Sequence, residues 1–147
     1  MRTRTLGYTD FHDDMQVSHI LMVDDDKEDL FLTKLSFEKS EFPFKFTGLE
    51  SADALFDYIE NNGMKDIDVL LLDLNMPETD GLDALKKLQE HPEIKDIRSF
   101  IYSTSSNTED KSQCVNAGAD GYLCKPSSAH DVKRFVNTVA LASDFWV

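Results

Sequence analysis

The sequence predicts an α/β fold built on an open, doubly wound parallel sheet. Five short apolar runs recur at fairly regular spacing, and each is followed by a stretch with helical periodicity, which is the pattern of repeated βα units. Val, Leu, Ile and Phe predominate in the central three runs, as is typical of parallel strands that are covered on both faces. The predicted strands span residues 19–23, 44–49, 68–72, 98–103 and 121–124.

Apolar stripes and capping residues predict the helices between these strands. Ser51 caps the stripe after the second strand, and the stripe after the third ends at the His91-Pro92 step, because proline disfavours helical geometry in the preceding residue. After the fourth strand, Ser106 and Glu109 fit a capping box. The stripes comprise Ala52, Leu55, Phe56 and Ile59, then Leu82, Leu85 and Leu88, and last Val132, Phe135, Val136, Val139 and Ala140 behind Ser128 and Asp131. Right-handed crossovers would place the helices on both sides of the sheet.

Length and composition set the broad class of protein. A chain of 147 residues fits one domain, expected at residues 18–147 after an extension at residues 1–17 that shows neither period. The formal charge of −13 argues against sequence-independent binding of nucleic acid, which relies on clustered Lys and Arg. No apolar run is long enough to cross a bilayer and the first residues are too polar for a signal peptide, so we predict a cytoplasmic protein without membrane contact. Cys114 and Cys124 match no zinc motif and are expected to be reduced core thiols.

Polar side chains follow four of the predicted strands at the point where each strand ends. Three aspartates at positions 24–26 follow the first strand, Asp73 follows the third, Thr104 the fourth and Lys125 the fifth. Ligands of open parallel sheets bind beyond the carboxyl ends of the strands. If neighbouring strands bring these residues together, they form an acidic pocket flanked by a hydroxyl and an ammonium.

Such a pocket suits Mg²⁺ and a phosphoryl group. Neighbouring carboxylates repel each other unless a divalent cation neutralises them, and Mg²⁺ binds one or two carboxylates while bridging to phosphate oxygens. One carboxylate can then act as a nucleophile on phosphorus and form an aspartyl phosphate. Lys125 would supply positive charge and Thr104 a hydrogen bond to the phosphoryl oxygens. Each residue taken alone also has an ordinary structural interpretation, since an Asp triplet is often a turn or a helix cap.

Four segments of the sequence resemble the motifs of one known family. The segment LLLDLNMPETDG, at residues 70–81, resembles the phosphoacceptor motif of the response-regulator receiver domains of two-component signalling. ILMVDDDKED resembles the family's acidic-pair segment, FIYSTSSN its Ser/Thr strand, and NAGADGYLCKP its lysine segment. The motifs span residues 20–126 in the family's order. The resemblance implies a flavodoxin-like (βα)5 sandwich whose five-stranded parallel sheet has the strand order 2-1-3-4-5.

The resemblance also implies roles for individual residues. Asp73 would be the phosphoacceptor, and Thr104 and Lys125 would contact the phosphoryl group. Mg²⁺, or Mn²⁺ in its place, would be the cofactor. Its ligands would be Asp25 and Asp73 directly, the Asn75 backbone carbonyl, and Asp24 mainly through water.

Further implied features concern switching. Thr104 and Tyr122 would form the conformational switch, although a half-buried strand tyrosine is a comparable interpretation of Tyr122. Lys125 and Pro126 would be joined by a cis peptide bond, which costs little only before proline. Asn75 and Ser106 lie where the family tunes the rate of phosphoryl hydrolysis.

The implied function is that of a stand-alone receiver domain, which is not an enzyme beyond catalysing its own phosphorylation and dephosphorylation. A phosphohistidine of a histidine kinase or a histidine phosphotransfer protein would supply the phosphoryl group. A downstream protein would bind the face formed by the fourth helix, fifth strand and fifth helix, with no direct contact to nucleic acid. The domain would be a monomer or a phosphorylation-dependent dimer.

Three other classes of site compete with this interpretation. Asp24 with Asp26 resembles the paired aspartates of haloacid-dehalogenase-like phosphatases, in which Asp24 would be the nucleophile, but the segment after Asp73 is then unexplained. A calcium loop is weaker, because the glycine that its turn requires after Asp24 is missing. The third class is a degenerate binding module that is not phosphorylated. Such a module would normally lack some of the residues of the site, and all of them are present here.

Overall fold

Five parallel strands and the helices between them form the fold. The structure is a computed structural model that describes residues 18–40, 44–104, 107–125 and 133–139. The strands are β1 (Ser18–Val23), β2 (Phe44–Leu49), β3 (Val69–Asp73), β4 (Arg98–Ser103) and β5 (Gly121–Cys124). The helices are α1 (Lys27–Glu38), α2 (Ala52–Asn62), α3 (Gly81–Leu88), a 3-10 helix (Pro92–Asp96), α4 (Thr108–Asn116) and residues 133–139, named α5.

The sheet order is β2-β1-β3-β4-β5, with every neighbouring pair parallel. The predicted flavodoxin-like (βα)5 arrangement is therefore confirmed. The strands β2, β4 and β5 have the predicted bounds, whereas β1 begins one residue earlier and β3 lies one residue later in the sequence. Asp73 is consequently the last residue of β3 rather than the first residue after it.

Alternate residues of the strands pack into two separate cores, because successive side chains of a strand face opposite ways. One core lies between the sheet and α1 and α5, and the other lies beneath α2, α3 and α4. The first contains Ile20, Met22, Val69, Leu71, Phe100 and Tyr102 with Phe37, Phe135, Val136 and Val139. The second contains Leu21, Val23, Leu70, Leu72 and Ile101 with Leu55, Ile59, Leu85, Leu88 and Cys114. The helical stripes thus face the sheet as predicted.

Two expectations about the sheet edges are wrong. The strand β2 is only half covered: Lys45 and Gly48 are exposed, while Phe44 and Phe46 pack against Phe37 of α1. Cys124, expected in the core, is exposed, whereas Cys114 is buried. The common reason is the strand order, which leaves β2 and β5 with one neighbour each.

The helix caps agree with the sequence in one place and differ in another. Ser51 caps α2 as predicted, with its hydroxyl accepting a hydrogen bond from the Ala54 N–H at 3.0 Å. The capping box at Ser106 is wrong, because Asn107 caps α4 and its side-chain oxygen accepts from the Glu109 N–H at 2.7 Å. An Asn side chain one residue nearer the helix fills the role expected of the serine.

Several predictions fall outside the described residues. They concern the extension at residues 1–17, the cap at Ser128 and Asp131, and the ends of the last stripe at Val132 and Ala140. No described helix combines the length and the apolar character that crossing a bilayer requires.

Candidate functional site

The candidate site lies at the carboxyl edge of the sheet, where β1, β3 and β5 end. Asp24 directly follows β1, Asp73 ends β3, and Lys125 directly follows β5. Each residue continues the alternation of its strand, and the apolar residues two positions earlier belong to the core under α1 and α5. The three side chains therefore point to the same side of the sheet and meet there.

Three carboxylates of the site form a group of the kind that holds a metal ion. One side-chain oxygen from each of Asp24, Asp25 and Asp73 lies within 4.8 Å of the others. Asp24 and Asp73 are buried, whereas Asp25 is exposed and lies on the solvent side of the group. Carboxylate oxygens are hard ligands, so this set fits a hard divalent cation such as Mg²⁺ or Mn²⁺.

The ammonium of Lys125 sits among carboxylates. Its Nζ lies 3.1 Å from Oδ2 of Asp73, 3.2 Å from Oδ2 of Asp24 and 3.2 Å from Oδ2 of Asp29. Burial acts to lower the pKa of Lys125, but the negative charges of Asp24 and Asp73 outweigh it and raise this pKa above its usual value. Lys125 is therefore a fixed positive charge next to the Asp73 carboxylate.

Asp24 is fully buried and both of its carboxylate oxygens have protein partners. Oδ1 accepts a hydrogen bond from the Asp26 N–H at 2.9 Å, and Oδ2 accepts one from the Tyr102 hydroxyl at 2.8 Å. Burial and the nearby Asp24 charge raise the pKa of Tyr102, so this hydroxyl stays a donor at any physiological pH. Each Asp24 oxygen therefore already has a donor, which leaves Asp24 fewer free lone pairs for a metal than an exposed carboxylate has.

Asp73 is buried and has an unusual ionisation. Burial is the main cause that raises its pKa from 3.8 to about 6, with a further contribution from the Asp24 charge. The Asn75 N–H, which donates to Oδ1 of Asp73 at 3.1 Å, and the Lys125 ammonium act in the opposite direction. The carboxyl group is thus harder to ionise than one in water, and a bound cation would offset this cost.

The loop after Asp73 is held close to β3 by the start of α3. The Asp80 side chain caps this helix by accepting from the Asp83 N–H at 2.8 Å, and the Gly81 N–H donates to the Leu74 carbonyl at 3.1 Å. A Cβ on Gly81 would overlap the backbone carbonyl of Asp73. The Asp-Gly element of the motif therefore lets the helix approach the backbone of the site.

The other predicted site residues are placed as follows. Asn75 is exposed; its backbone N–H contacts Asp73, and its side-chain amide donates to the Ser103 hydroxyl at 3.2 Å. Thr104 is exposed, and its hydroxyl has no hydrogen-bond partner within the described part of the chain. Tyr122 is half-buried and packs against the core under α2, α3 and α4. Ser106, Pro126 and hence the isomer of the Lys125-Pro126 bond lie outside the described residues.

Three residues of the site are absent from the sequence-based prediction. Asp29 lies in the first turn of α1, Tyr102 lies in β4, and Ser103 is a fully buried polar residue in β4. A weak signal exists for Tyr102, which is a hydroxyl-bearing residue in an otherwise apolar stretch of its strand. Asp29 resembles any other acidic residue in the first turn of a helix.

Comparisons with known proteins agree with one another. A family model described as the response regulator receiver domain matches residues 20–137. The probable methanogenesis regulatory protein FilR2 of Methanothrix harundinacea is 28% identical over 131 residues, which cover 87% of this chain and 83% of that protein. The two-component response regulator ORR1 of Oryza sativa subsp. japonica is 29% identical over 126 residues, which cover 82% of this chain but 54% of that protein. The crystal structure of the Mn²⁺-bound response regulator Rcp1 aligns with a TM-score of 0.70 and 25% identity, covering 83% of this chain and 91% of that one.

Proposed function

Because this chain belongs to the family of response regulator receiver domains of two-component signalling, we propose that Asp73 accepts a phosphoryl group from a phosphohistidine. The donor would be a sensor histidine kinase or a histidine phosphotransfer protein, the partners with which receiver domains interact. The observation that carries the proposal is the buried Asp73 carboxylate, held 3.1 Å from the Lys125 ammonium within the acidic group.

The residues that would hold a divalent cation are Asp25 and Asp73 directly, the Asn75 backbone carbonyl, and Asp24 through water. Support for unequal roles comes from Asp24, which is buried and has one hydrogen-bond donor on each oxygen, and from Asp25, which is exposed. When bound, Mg²⁺ supplies neutralising charge to the carboxylates and to the phosphoryl oxygens. Mn²⁺, which is named for the Rcp1 structure, has the same preference for oxygen ligands.

The transfer step uses groups of this chain in defined roles. An Asp73 oxygen forms a bond to phosphorus while the bond from phosphorus to the donor imidazole breaks. The electron pair of the broken bond remains on the imidazole nitrogen, which takes up a proton from water. Lys125 then donates to a phosphoryl oxygen in place of the Asp73 carboxylate, so its charge stabilises the group being transferred. Hydrolysis of the acyl phosphate returns the carboxylate, and the protein would catalyse no reaction on other substrates.

Phosphorylation would signal to other proteins through a change in the packing of the domain. A phosphoryl group on Asp73 would draw the exposed Thr104 hydroxyl inward and let Tyr122 move, which alters the surface of α4, β5 and α5. A downstream protein would bind this surface. A change from 1:99 to 99:1 between the two states requires about 5.5 kcal/mol, and a smaller bias gives a partial shift.

Phosphorylation can be tested with acetyl phosphate and Mg²⁺, followed by mass spectrometry to locate an acyl phosphate. We expect one label on Asp73, lost in Asp73→Asn and absent when the metal is chelated. A label on Asp24, or phosphatase activity that survives Asp73→Asn, would instead support the phosphatase alternative. The phosphatase alternative pairs Asp24 with Asp26, but the Asp26 side chain caps α1 by accepting a hydrogen bond from the Glu28 N–H at 2.9 Å.

The metal assignment has a separate test with a matched control. Asp25→Ala should weaken Mg²⁺ binding at least tenfold in a calorimetric or fluorescence titration, because it removes a direct carboxylate ligand. Asp26→Ala removes the neighbouring carboxylate and a helix cap, which costs about 1 kcal/mol of stability but should leave metal affinity nearly unchanged. Equal losses of affinity in the two variants would refute the proposed ligand set.

A further inference from the structure

We propose that Asp29 is a positioning residue that holds the Lys125 ammonium in place during phosphoryl transfer, an inference that rests on the proposed phosphorylation of Asp73. The contact that carries it is the ion pair between Oδ2 of Asp29 and Nζ of Lys125, at 3.2 Å. Asp29 lies outside the segments that identify the phosphoacceptor and the lysine, and it reaches the site from α1.

The number of donors on Lys125 explains what Asp29 contributes. An ammonium carries three N–H donors and no acceptor. Three carboxylate oxygens surround it at 3.1 to 3.2 Å, one each from Asp24, Asp29 and Asp73. When a phosphoryl oxygen replaces the Asp73 carboxylate as the third acceptor, Asp24 and Asp29 can keep the other two donors. Asp29 therefore restrains Lys125 both before and after transfer.

The position of Asp29 is itself well defined. It lies in the first turn of α1, where the Asp26 side chain accepts from the Glu28 N–H and, more weakly, from the Asp29 N–H at 3.4 Å. The Tyr102 ring closes another side of the ammonium, with Nζ of Lys125 5.1 Å from the ring centroid. Lys125 is thus enclosed by an aromatic face and carboxylates, and only 17% of its side chain is exposed.

Glu28 provides a matched control for the charge of Asp29. It is the preceding residue in the same helical turn, it is exposed, and its carboxylate makes no ion pair with a described residue. Glu28→Gln and Asp29→Asn each remove one negative charge close to the site. Removal of negative charge alone should, if anything, speed the approach of an anionic phosphodonor. Loss of the restraint on Lys125, which only Asp29→Asn causes, should instead slow phosphoryl transfer.

The test measures the rate of Asp73 labelling by acetyl phosphate in Mg²⁺, a reaction in which the O–P bond to Asp73 forms and acetate leaves. Asp29→Asn should lower the maximal rate about three- to fivefold, the loss expected for one partly exposed charge pair. Glu28→Gln should be unchanged or slightly faster, and Asp29→Glu should recover part of the rate. A rate in Asp29→Asn that equals or exceeds that of the unaltered chain would overturn the proposal.

Two further measurements separate positioning from a general structural effect. In a Lys125→Met background, Asp29→Asn should cause no additional slowing, because the ammonium that Asp29 restrains is then absent. In the metal-free protein, the Lys125 ammonium protons should exchange faster with water in Asp29→Asn than in Glu28→Gln, measured by ¹⁵N NMR. An equal slowing with and without Lys125, or unchanged proton exchange, would contradict the proposal. Absence of any label in the unaltered chain would instead refute the proposed function, and the role of Asp29 with it.

Discussion

Asp73→Asn is expected to stabilise the protein in the absence of metal at neutral pH. Asparagine has nearly the shape of aspartate but no charge, and its side-chain oxygen can still accept from the Asn75 N–H. The native carboxylate is destabilised when it ionises, because it is buried beside the Asp24 charge and its pKa is raised to about 6. The substitution removes this cost at the residue that is proposed to carry the function.

The size and sign of the effect follow from linkage. Each pKa unit corresponds to about 1.4 kcal/mol, so a pKa of about 6 in the folded protein against 3.8 in the unfolded chain corresponds to about 3 kcal/mol. A carboxyl group with a raised folded pKa contributes its stability below pH 3.8 and loses that contribution as the pH rises through 6. The gain from Asp73→Asn should therefore be absent near pH 3.5 and reach its maximum, at most about 3 kcal/mol, above pH 7.

Urea denaturation in a chelator at several pH values measures this gain. Asp25→Asn is the control, since it removes an exposed carboxylate of the same acidic group and should change stability by less than about 1 kcal/mol. Saturating Mg²⁺ should remove or reverse the advantage of Asp73→Asn, because a bound cation stabilises the native carboxylate. If Asp73→Asn destabilises the metal-free protein at pH 8, the raised pKa is the wrong description of this residue.

Three other substitutions test different parts of the structure. Tyr102→Phe removes the hydroxyl that donates to Asp24 and should lower the free energy of unfolding by about 1.5–3 kcal/mol, the loss expected for a buried hydrogen bond to a charge. A loss below about 0.5 kcal/mol in urea denaturation would contradict that contact. Gly81→Ala places a Cβ against the backbone of Asp73, so it should destabilise the protein by about 1–3 kcal/mol and slow the labelling of Asp73 by acetyl phosphate. Gly63→Ala is strained only by its φ of +75° and should be labelled at the normal rate. Equal labelling rates in the two variants would refute a specific role of Gly81 at the site. Burial lowers the pKa of His19, so the unaltered chain should lose stability as the pH falls from 8 to 5. In His19→Gln the free energy of unfolding should fall less over the same range, and an unchanged pH dependence would contradict the lowered pKa.

The sequence was sufficient to predict the sheet and the residues at its carboxyl edge. Periodicity gives the strands, and alternation along each strand determines on which side a residue lies. Asp24, Asp73 and Lys125 follow runs whose apolar members are buried, so their placement depends on local pattern and on the general rule for parallel sheets. The coverage of the edge strand β2 does not follow from its composition, because it depends on where β2 lies in the sheet.

The contacts of Tyr102 and Asp29 could not be predicted in the same way. Tyr102 lies in β4, which is separated from β1 by β3, yet its hydroxyl reaches Asp24 beyond the end of β1. Asp29 reaches Lys125 only because α1 packs where its first turn approaches the end of β5. Both contacts join residues more than 75 positions apart, and they depend on the relative placement of whole elements.

The charge of the site connects these observations. Asp24, Asp25, Asp29 and Asp73 surround a single ammonium, so the fully ionised site would carry a formal charge of −3. Burial, and to a smaller extent the charge of Asp24, raise the pKa of Asp73 in the metal-free protein. A divalent cation would reduce the excess to −1, which favours the ionised Asp73 that can attack phosphorus. The proposed phosphorylation would then return negative charge to the site as phosphoryl oxygens, in reach of the same ammonium. A change at Asp29 should therefore affect the reaction through Lys125 and a change at Asp25 through the metal, and the two variants should differ in their dependence on Mg²⁺ concentration.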